Sequence, residues 1–173
     1  LLGNLANGIA GLALFMAGWS FVSGDILAGI VASFPYLLAF AAVTLLTAIP
    51  DLKGDLAEEK ITFPAKFGIP VTIAVGTLLA ALSASLGYYL NDPVISTSSI
   101  VSVPFFLVAL VYLKDHHILR AIRYPIFILA MFLSVRYPWF FVAVLVTFFI
   151  ARYYYYFRFG MLYPTFQVIH DTD

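Results

Sequence analysis

The sequence predicts an all-α fold, a polytopic bundle of transmembrane helices with about six spans, and three observations carry that prediction. Of 173 residues, 63% are hydrophobic and 10% charged, with a mean hydropathy of +1.01, where an ordinary soluble domain carries roughly 25% charged residues. Folding in water could not hide that much apolar surface, which makes the chain an integral membrane protein. The apolar residues also run unbroken, with no charge between Asp25 and Asp51 or between Lys66 and Asp92. Lipid admits only helices and closed barrels, because every backbone polar group must be satisfied internally. Continuous rather than alternating apolar stretches, near the roughly 20 residues that cross a bilayer, select helices. The chain contains no cysteine, which removes disulfides, thiolate metal sites and cysteine nucleophiles. Its formal charge of zero gives no indication of a nucleic-acid partner.

Residues 1–24 carry no charge and include Gly3, Gly8, Gly11 and Gly18, small residues that let helices approach closely in lipid; span one is placed at 3–22. Asp25 marks a short turn. Span two covers 26–50, with Pro35 a candidate kink and Pro50 its stop. A charged stretch, 51–66, follows as a loop or short helical extension. Span three runs over 69–90, closed by the Asn91-Asp92-Pro93 turn. Ser96 to Ser99 are read as the cap of span four, placed at 98–113 and ended by Lys114-Asp115-His116-His117. Two short spans joined at Arg136-Tyr137-Pro138 complete the six, their flanking arginines snorkelling to the interface. One long helix over 124–151 is the competing arrangement. It would set Arg136 near mid-bilayer, at a cost of roughly 2.5–3.5 kcal/mol.

Charge placement supports the hairpin. Lys and Arg accumulate in short cytoplasmic loops. With six spans, Lys53, Lys60, Lys66, Lys114, Arg120, Arg123, Arg152 and Arg158 fall on one side and Arg136 alone on the other. The charged stretch, the 114–123 loop and the C-terminus are therefore expected in the cytoplasm, with the Tyr153 to Phe157 aromatics at that interface. The opening Leu-Leu-Gly-Asn has neither methionine nor signal-peptide features. It reads as a cut through a longer membrane protein.

The chemistry concentrates in Pro50-Asp51-Leu52-Lys53-Gly54-Asp55-Leu56-Ala57-Glu58-Glu59-Lys60, which holds a third of all charged side chains. Asp51 and Asp55 are four apart, so a helix there puts both carboxylates on one face. Such a pair suits Mg²⁺, which takes oxygen ligands and is usually held by one or two carboxylates plus substrate phosphates. Lys53, Lys60 and Lys66 are near enough in sequence to neutralise a diphosphate as point charges. A bare D-x-x-x-D is weak evidence, however, since most such pairs are solvated loop charges.

The whole phrase is more specific. Ile49-Pro50-Asp51-Leu52-Lys53-Gly54-Asp55, then Ile61-Thr62-Phe63-Pro64-Ala65-Lys66-Phe67-Gly68, resembles the second aspartate motif of the UbiA superfamily of intramembrane prenyltransferases, with its D-x-x-G-D, Thr-x-Pro and Phe/Tyr-Gly. Leu2-Gly3-Asn4 resembles the Gly-Asn that begins an earlier span in these enzymes, and Arg158-Phe159-Gly160 to Tyr163-Pro164 resembles their tail more loosely. The resemblance covers residues 1 to about 90 well. It implies a bundle of about nine spans in which two facing aspartate motifs bind Mg²⁺ and a prenyl diphosphate, whose prenyl group passes to a lipophilic acceptor. Carried onto this chain, Asp51 and Asp55 become catalytic metal ligands, and Lys53, Lys60, Lys66 and Asn4 candidate diphosphate contacts. Residues 1–173 form one transmembrane domain, expected to be the C-terminal part of that larger bundle.

The family's first motif, N-D-x-x-D-x-x-x-D, is absent, since Asn91-Asp92 continues Pro93-Val94-Ile95. Asn7 shares with Asn4 the choice between lining a pocket and bonding a neighbouring helix. His116 and His117 are adjacent and cannot share one helical face. The rival function is a transporter or a non-catalytic structural subunit; transporter sites lie near the bilayer midplane, whereas these charges lie at the membrane edge.

Overall fold

The computed structural model describes residues 2–163, with the side chains of residues 2, 4 and 5 outside the description. Eight helices follow one another: α1 (Leu2–Ser20), α2 (Ile26–Thr47), α3 (Leu52–Ala57), α4 (Phe63–Phe67), α5 (Ile69–Tyr89), α6 (Pro93–Tyr112), α7 (Asp115–Arg136) and α8 (Pro138–Phe159). Among the described residues, α2, α5, α6, α7 and α8 are long and apolar enough to cross a membrane. α1, the first of the six expected spans, has 19 residues and packs against α2. The chain is an integral membrane protein built as a helical bundle.

α2 is the central wall, packing against α1, α5, α6 and α7, while α5 pairs with α6 and α6 with α7. The core gathers where these meet: Ala42, Leu46, Ile73, Phe106, Ala109, Ile118 and Ala121 are all essentially buried. Close packing without large side chains relies on small residues. A Cβ on Gly87 would stand 3.0 Å from the Ser96 backbone nitrogen, so glycine there sets how near α5 comes to α6. Ser83 ties three helices together: its Oγ donates to the Pro35 carbonyl of α2 at 2.7 Å and lies 2.9 Å from Ser99 Oγ of α6.

The turns use their own chemistry. Asp25 caps α2 by accepting from the Ala28 N–H. Asn91, at φ 55°, turns the chain, and Asp92 Oδ1 accepts from the Val94 and Ile95 N–H groups to cap α6. Gly68, at φ 81°, opens α5 in a conformation that favours glycine.

Several expectations are corrected. α6 starts at Pro93 rather than 98, because Asp92 already accepts from the Val94 and Ile95 N–H groups and proline suits the first helical position. Ser96, Ser98 and Ser99 therefore lie inside the helix and are buried. The 114–123 stretch is not a loop: α7 begins at Asp115, so His116, His117, Arg120 and Arg123 are helical. Ile118, Ala121 and Ile122, spaced i, i+3, i+4, anchor that first part of α7 in the core. Arg136 ends α7, Tyr137 breaks the helix at φ −131° and ψ 85°, and Pro138 starts α8. Two helices, rather than one long one, thus occupy 115–159. No residue of α8 is buried.

Candidate functional site

Past the end of α2 the chain makes a tight turn over Ala48, Ile49 and Pro50, with the Ile49 N–H donating to the Leu46 carbonyl. It then re-enters a helix: the Asp55 N–H donates to the Asp51 carbonyl at 2.9 Å. That bond is one helical turn, so Asp51 and Asp55 share a face of α3 about 6 Å apart along the axis. Asp51 stands at the N-cap position without a side-chain capping bond. It is exposed and Asp55 half-buried. Both carboxylates are thus left uncommitted to any ion pair among the described residues.

The three lysines separate. Lys53 lies two residues from each aspartate, on the opposite face of α3. Lys60 pairs with Glu58. The hydrogen bond and charge of Lys60 hold the Glu58 carboxyl below its ordinary range, and Glu58 raises Lys60 in turn. Lys66 is on α4, which packs against α3, and its ammonium sits 5.3 Å from the Phe67 ring centroid. Asn4 is in α1, its side chain outside the description, and Pro164 of the loosely matching tail also lies outside the described residues.

One polar atom in this region was not singled out as a site residue from the sequence. Thr62 Oγ1 is buried and has no hydrogen-bond partner among the described residues, although Thr62 holds the cap position of α4. A buried hydroxyl left unpaired is rare in a folded protein. Two carboxylates on one helical turn are oxygen ligands of the kind a hard divalent cation takes, and Thr62, seven residues after Asp55, offers a hydroxyl in the loop that follows. Two carboxylate groups would leave the remaining positions of the shell to waters and phosphate oxygens, as Mg²⁺ commonly has it. Among the described residues no cluster of three or more His, Cys, Asp or Glu gathers as a metal site.

Behind this surface lies a cavity of about 630 Å³ walled by α1, α2, α5, α6 and α7. Its lining is overwhelmingly apolar, with Phe15, Tyr36, Phe40 and Phe106 presenting aromatic rings, and Asn7, Thr44 and Thr47 supplying polar groups. Along α2 it extends from Tyr36 to Thr47, about 16 Å at 1.5 Å per residue. Thr47 is four residues before Asp51, so the cavity reaches within about one turn of the aspartates. At the far end the Tyr36 hydroxyl donates to Asp92 Oδ2 at 2.7 Å. The 21 residues of α5 separate Asp92 from the charged stretch, about 31 Å of helix. Asn91-Asp92 is therefore a turn and a cap, remote from Asp51. Of the cavity residues, the sequence marks Asn7 as a candidate pocket lining and reads Gly11 and Ser99 as packing and cap, while Tyr36, Phe40 and Phe106 are not singled out there.

A comparison with curated proteins finds a digeranylgeranylglyceryl phosphate synthase of Methanobrevibacter smithii, 34% identical over 93 residues, which covers 50% of this chain and 31% of that protein. The match thus spans about a third of the relative's length. No solved structure matches. The sequence profile of the UbiA prenyltransferase family matches residues 1–124, from α1 into α7 and across the whole charged stretch, and the chain belongs to the UbiA prenyltransferase family.

Proposed function

We propose that this chain takes part in Mg²⁺-dependent transfer of a prenyl group from a prenyl diphosphate to a lipophilic acceptor within the membrane. The observation that carries the reading is the course of the cavity. A prenyl chain lying along α2 from Tyr36 to Thr47 would bring its diphosphate to the Asp51 and Asp55 face of α3.

In this reading Asp51 and Asp55 hold Mg²⁺, which when bound neutralises charge on the departing diphosphate. Lys66, on the neighbouring α4, adds positive charge beside it, whereas Lys53 lies on the opposite face of α3, and Thr62 Oγ1 takes the phosphate as its hydrogen-bond partner. The allylic carbon–oxygen bond breaks with its electron pair leaving on the diphosphate; the acceptor supplies the new pair and releases a proton. The apolar wall excludes water from the positive carbon at the Thr47 end, where Phe106, level with Leu46, presents an aromatic ring, while Phe15 and Tyr36 line the far end along which the prenyl tail lies. The first carboxylate motif that such a site also needs comes, in this proposal, from outside residues 1–173, as befits the C-terminal part of a nine-span bundle. The charged stretch, the start of α7 and the C-terminus face the cytoplasm. The relative's name makes a glyceryl phosphate already bearing one prenyl chain the first acceptor to test.

The test is calorimetric binding of a non-hydrolysable prenyl diphosphate analogue, with and without Mg²⁺, to the protein and to its Asp51→Asn and Asp55→Asn variants. Mg²⁺-dependent binding lost in both variants, with helicity unchanged, is the expected result. Equal binding by all three would remove the metal assignment.

A further inference from the structure

A second pocket, of about 270 Å³, opens on the other side of α7, lined by Phe105 and Val108 of α6 and by His117, Arg120 and Tyr124 of α7. The α7 residues recur at i, i+3 and i+7, one face of a helix. Pro125, Ile126 and Leu129, which line the large cavity, lie on a different face. The two spaces are therefore separated by the body of α7, and the small pocket has no part in the reading given above.

Three features give this pocket a direction. Its charge sits at one end: His117 and Arg120 are two and five residues into α7, about 3 and 7.5 Å from its start, on the side carrying the charged stretch. Its apolar groups lie deeper, with Phe105 about 10.5 Å before the end of α6 and Tyr124 about 13.5 Å into α7. The two rings meet edge-on at 5.0 Å. The positive charge also lacks a counter-charge. Between Asp115 and Asp171 the sequence has no acidic residue, Asp115 is 200° around α7 from His117, and no ion pair among the described residues involves Arg120. Finally, His117 Nδ1 is buried without a hydrogen-bond partner among the described residues, its ring held 5.2 Å from that of Tyr112. A basic surface end, an orphaned ring nitrogen and an apolar inner end reproduce in order the head and chain of an anionic amphiphile.

We infer that the pocket between α6 and α7 binds an anionic membrane phospholipid, its phosphate on Arg120 and His117 and the start of its chain against Val108 and Phe105. Basic pockets between helices at a membrane surface recognise such headgroups, and a guanidinium takes phosphate oxygens through two parallel N–H donors. The shared chemistry with free phosphate is the headgroup alone. The apolar inner wall commits the site to a lipid.

Native mass spectrometry of the protein released from nanodiscs of mixed phosphatidylcholine and phosphatidylglycerol tests this directly. The protein should retain phosphatidylglycerol in preference. Arg120→Gln should weaken retention roughly tenfold, the loss expected for one charge-assisted hydrogen-bonding partner. Val108→Trp, which fills the apolar end and leaves both basic groups in place, should weaken it too. Arg158→Gln removes the same charge from an exposed position outside the pocket and should retain lipid like the parent. Retention unchanged in Arg120→Gln, or equally reduced in Arg158→Gln, would overturn the site. Retention unchanged in Val108→Trp, or inorganic phosphate binding as tightly as the lipid, would overturn the lipid assignment.

Discussion

Ser83 offers a measurement whose size and sign follow from counting protons. A serine hydroxyl has one hydrogen, and that of Ser83 is committed to the Pro35 carbonyl at 2.7 Å. The 2.9 Å contact with Ser99 must then be Ser99 donating to Ser83. Ser83→Ala removes both bonds, those joining α5 to α2 and to α6; Ser99→Ala removes only the second. Interhelical hydrogen bonds in membrane proteins contribute about 0.6 kcal/mol each on average and at most about 1.7. Ser83→Ala is therefore expected to destabilise by about 1.2 kcal/mol and Ser99→Ala by about 0.6. The double variant should cost no more than Ser83→Ala alone, a coupling of about 0.6 kcal/mol in the cycle. Unfolding in mixed micelles with rising sodium dodecyl sulfate, followed by circular dichroism, reads all four proteins. A Ser99→Ala loss equal to or above that of Ser83→Ala would refute the assigned direction, and additive losses would refute the shared bond.

Other consequences are simpler to state. Asp92→Ala removes the cap of α6 and the acceptor of the Tyr36 hydroxyl, so it should cost about 1–2 kcal/mol in the same unfolding assay and more than Tyr36→Phe, which removes only the second. Gly87→Ala sets a Cβ 3.0 Å from backbone that cannot swing aside; overpacking of about 1–3 kcal/mol should exceed the helix-propensity gain of about 1 kcal/mol, and unfolding should shift to lower detergent fractions. The Glu58 carboxyl is lowered by Lys60. The pair's contribution is therefore present above the ordinary carboxylate range and lost as pH falls through the lowered value. Glu58→Gln should remove that acid-side trend and lower neutral-pH stability only slightly, because both partners are exposed.

What the sequence made legible was whatever hydropathy and charge report directly. Unbroken apolar runs placed α2 and α5 nearly to the residue, and Arg136-Tyr137-Pro138 marked the break between α7 and α8. The same cue failed at 114–123, where charge was taken as a sign of loop. Arg120 and Arg123 ride on a helix whose other face, Ile118, Ala121 and Ile122, packs into the core, and only tertiary contact reveals which face decides. The serines after Pro93 misled for a related reason: caps and buried interhelical bonds use the same hydroxyl, and Asp92 held the cap position first. At the candidate site the two aspartates were visible as a spacing. Nothing local announced Thr62 Oγ1 as an orphan or Tyr36 as the far end of a cavity, since each depends on residues distant in the chain.

α8 buries no residue against its neighbours and joins α7 through the single non-helical residue Tyr137. Its 22 residues measure about 33 Å against a hydrocarbon layer of about 30 Å. Packing against several neighbours fixes α2, α5 and α6, whereas α8 packs on α7 and leaves most of its apolar surface facing outward, open to lipid or to a further helix. The outward surface includes Trp139, Phe149 and Ile150, so a helix laid along α8 would find there an apolar face long enough to match its own span.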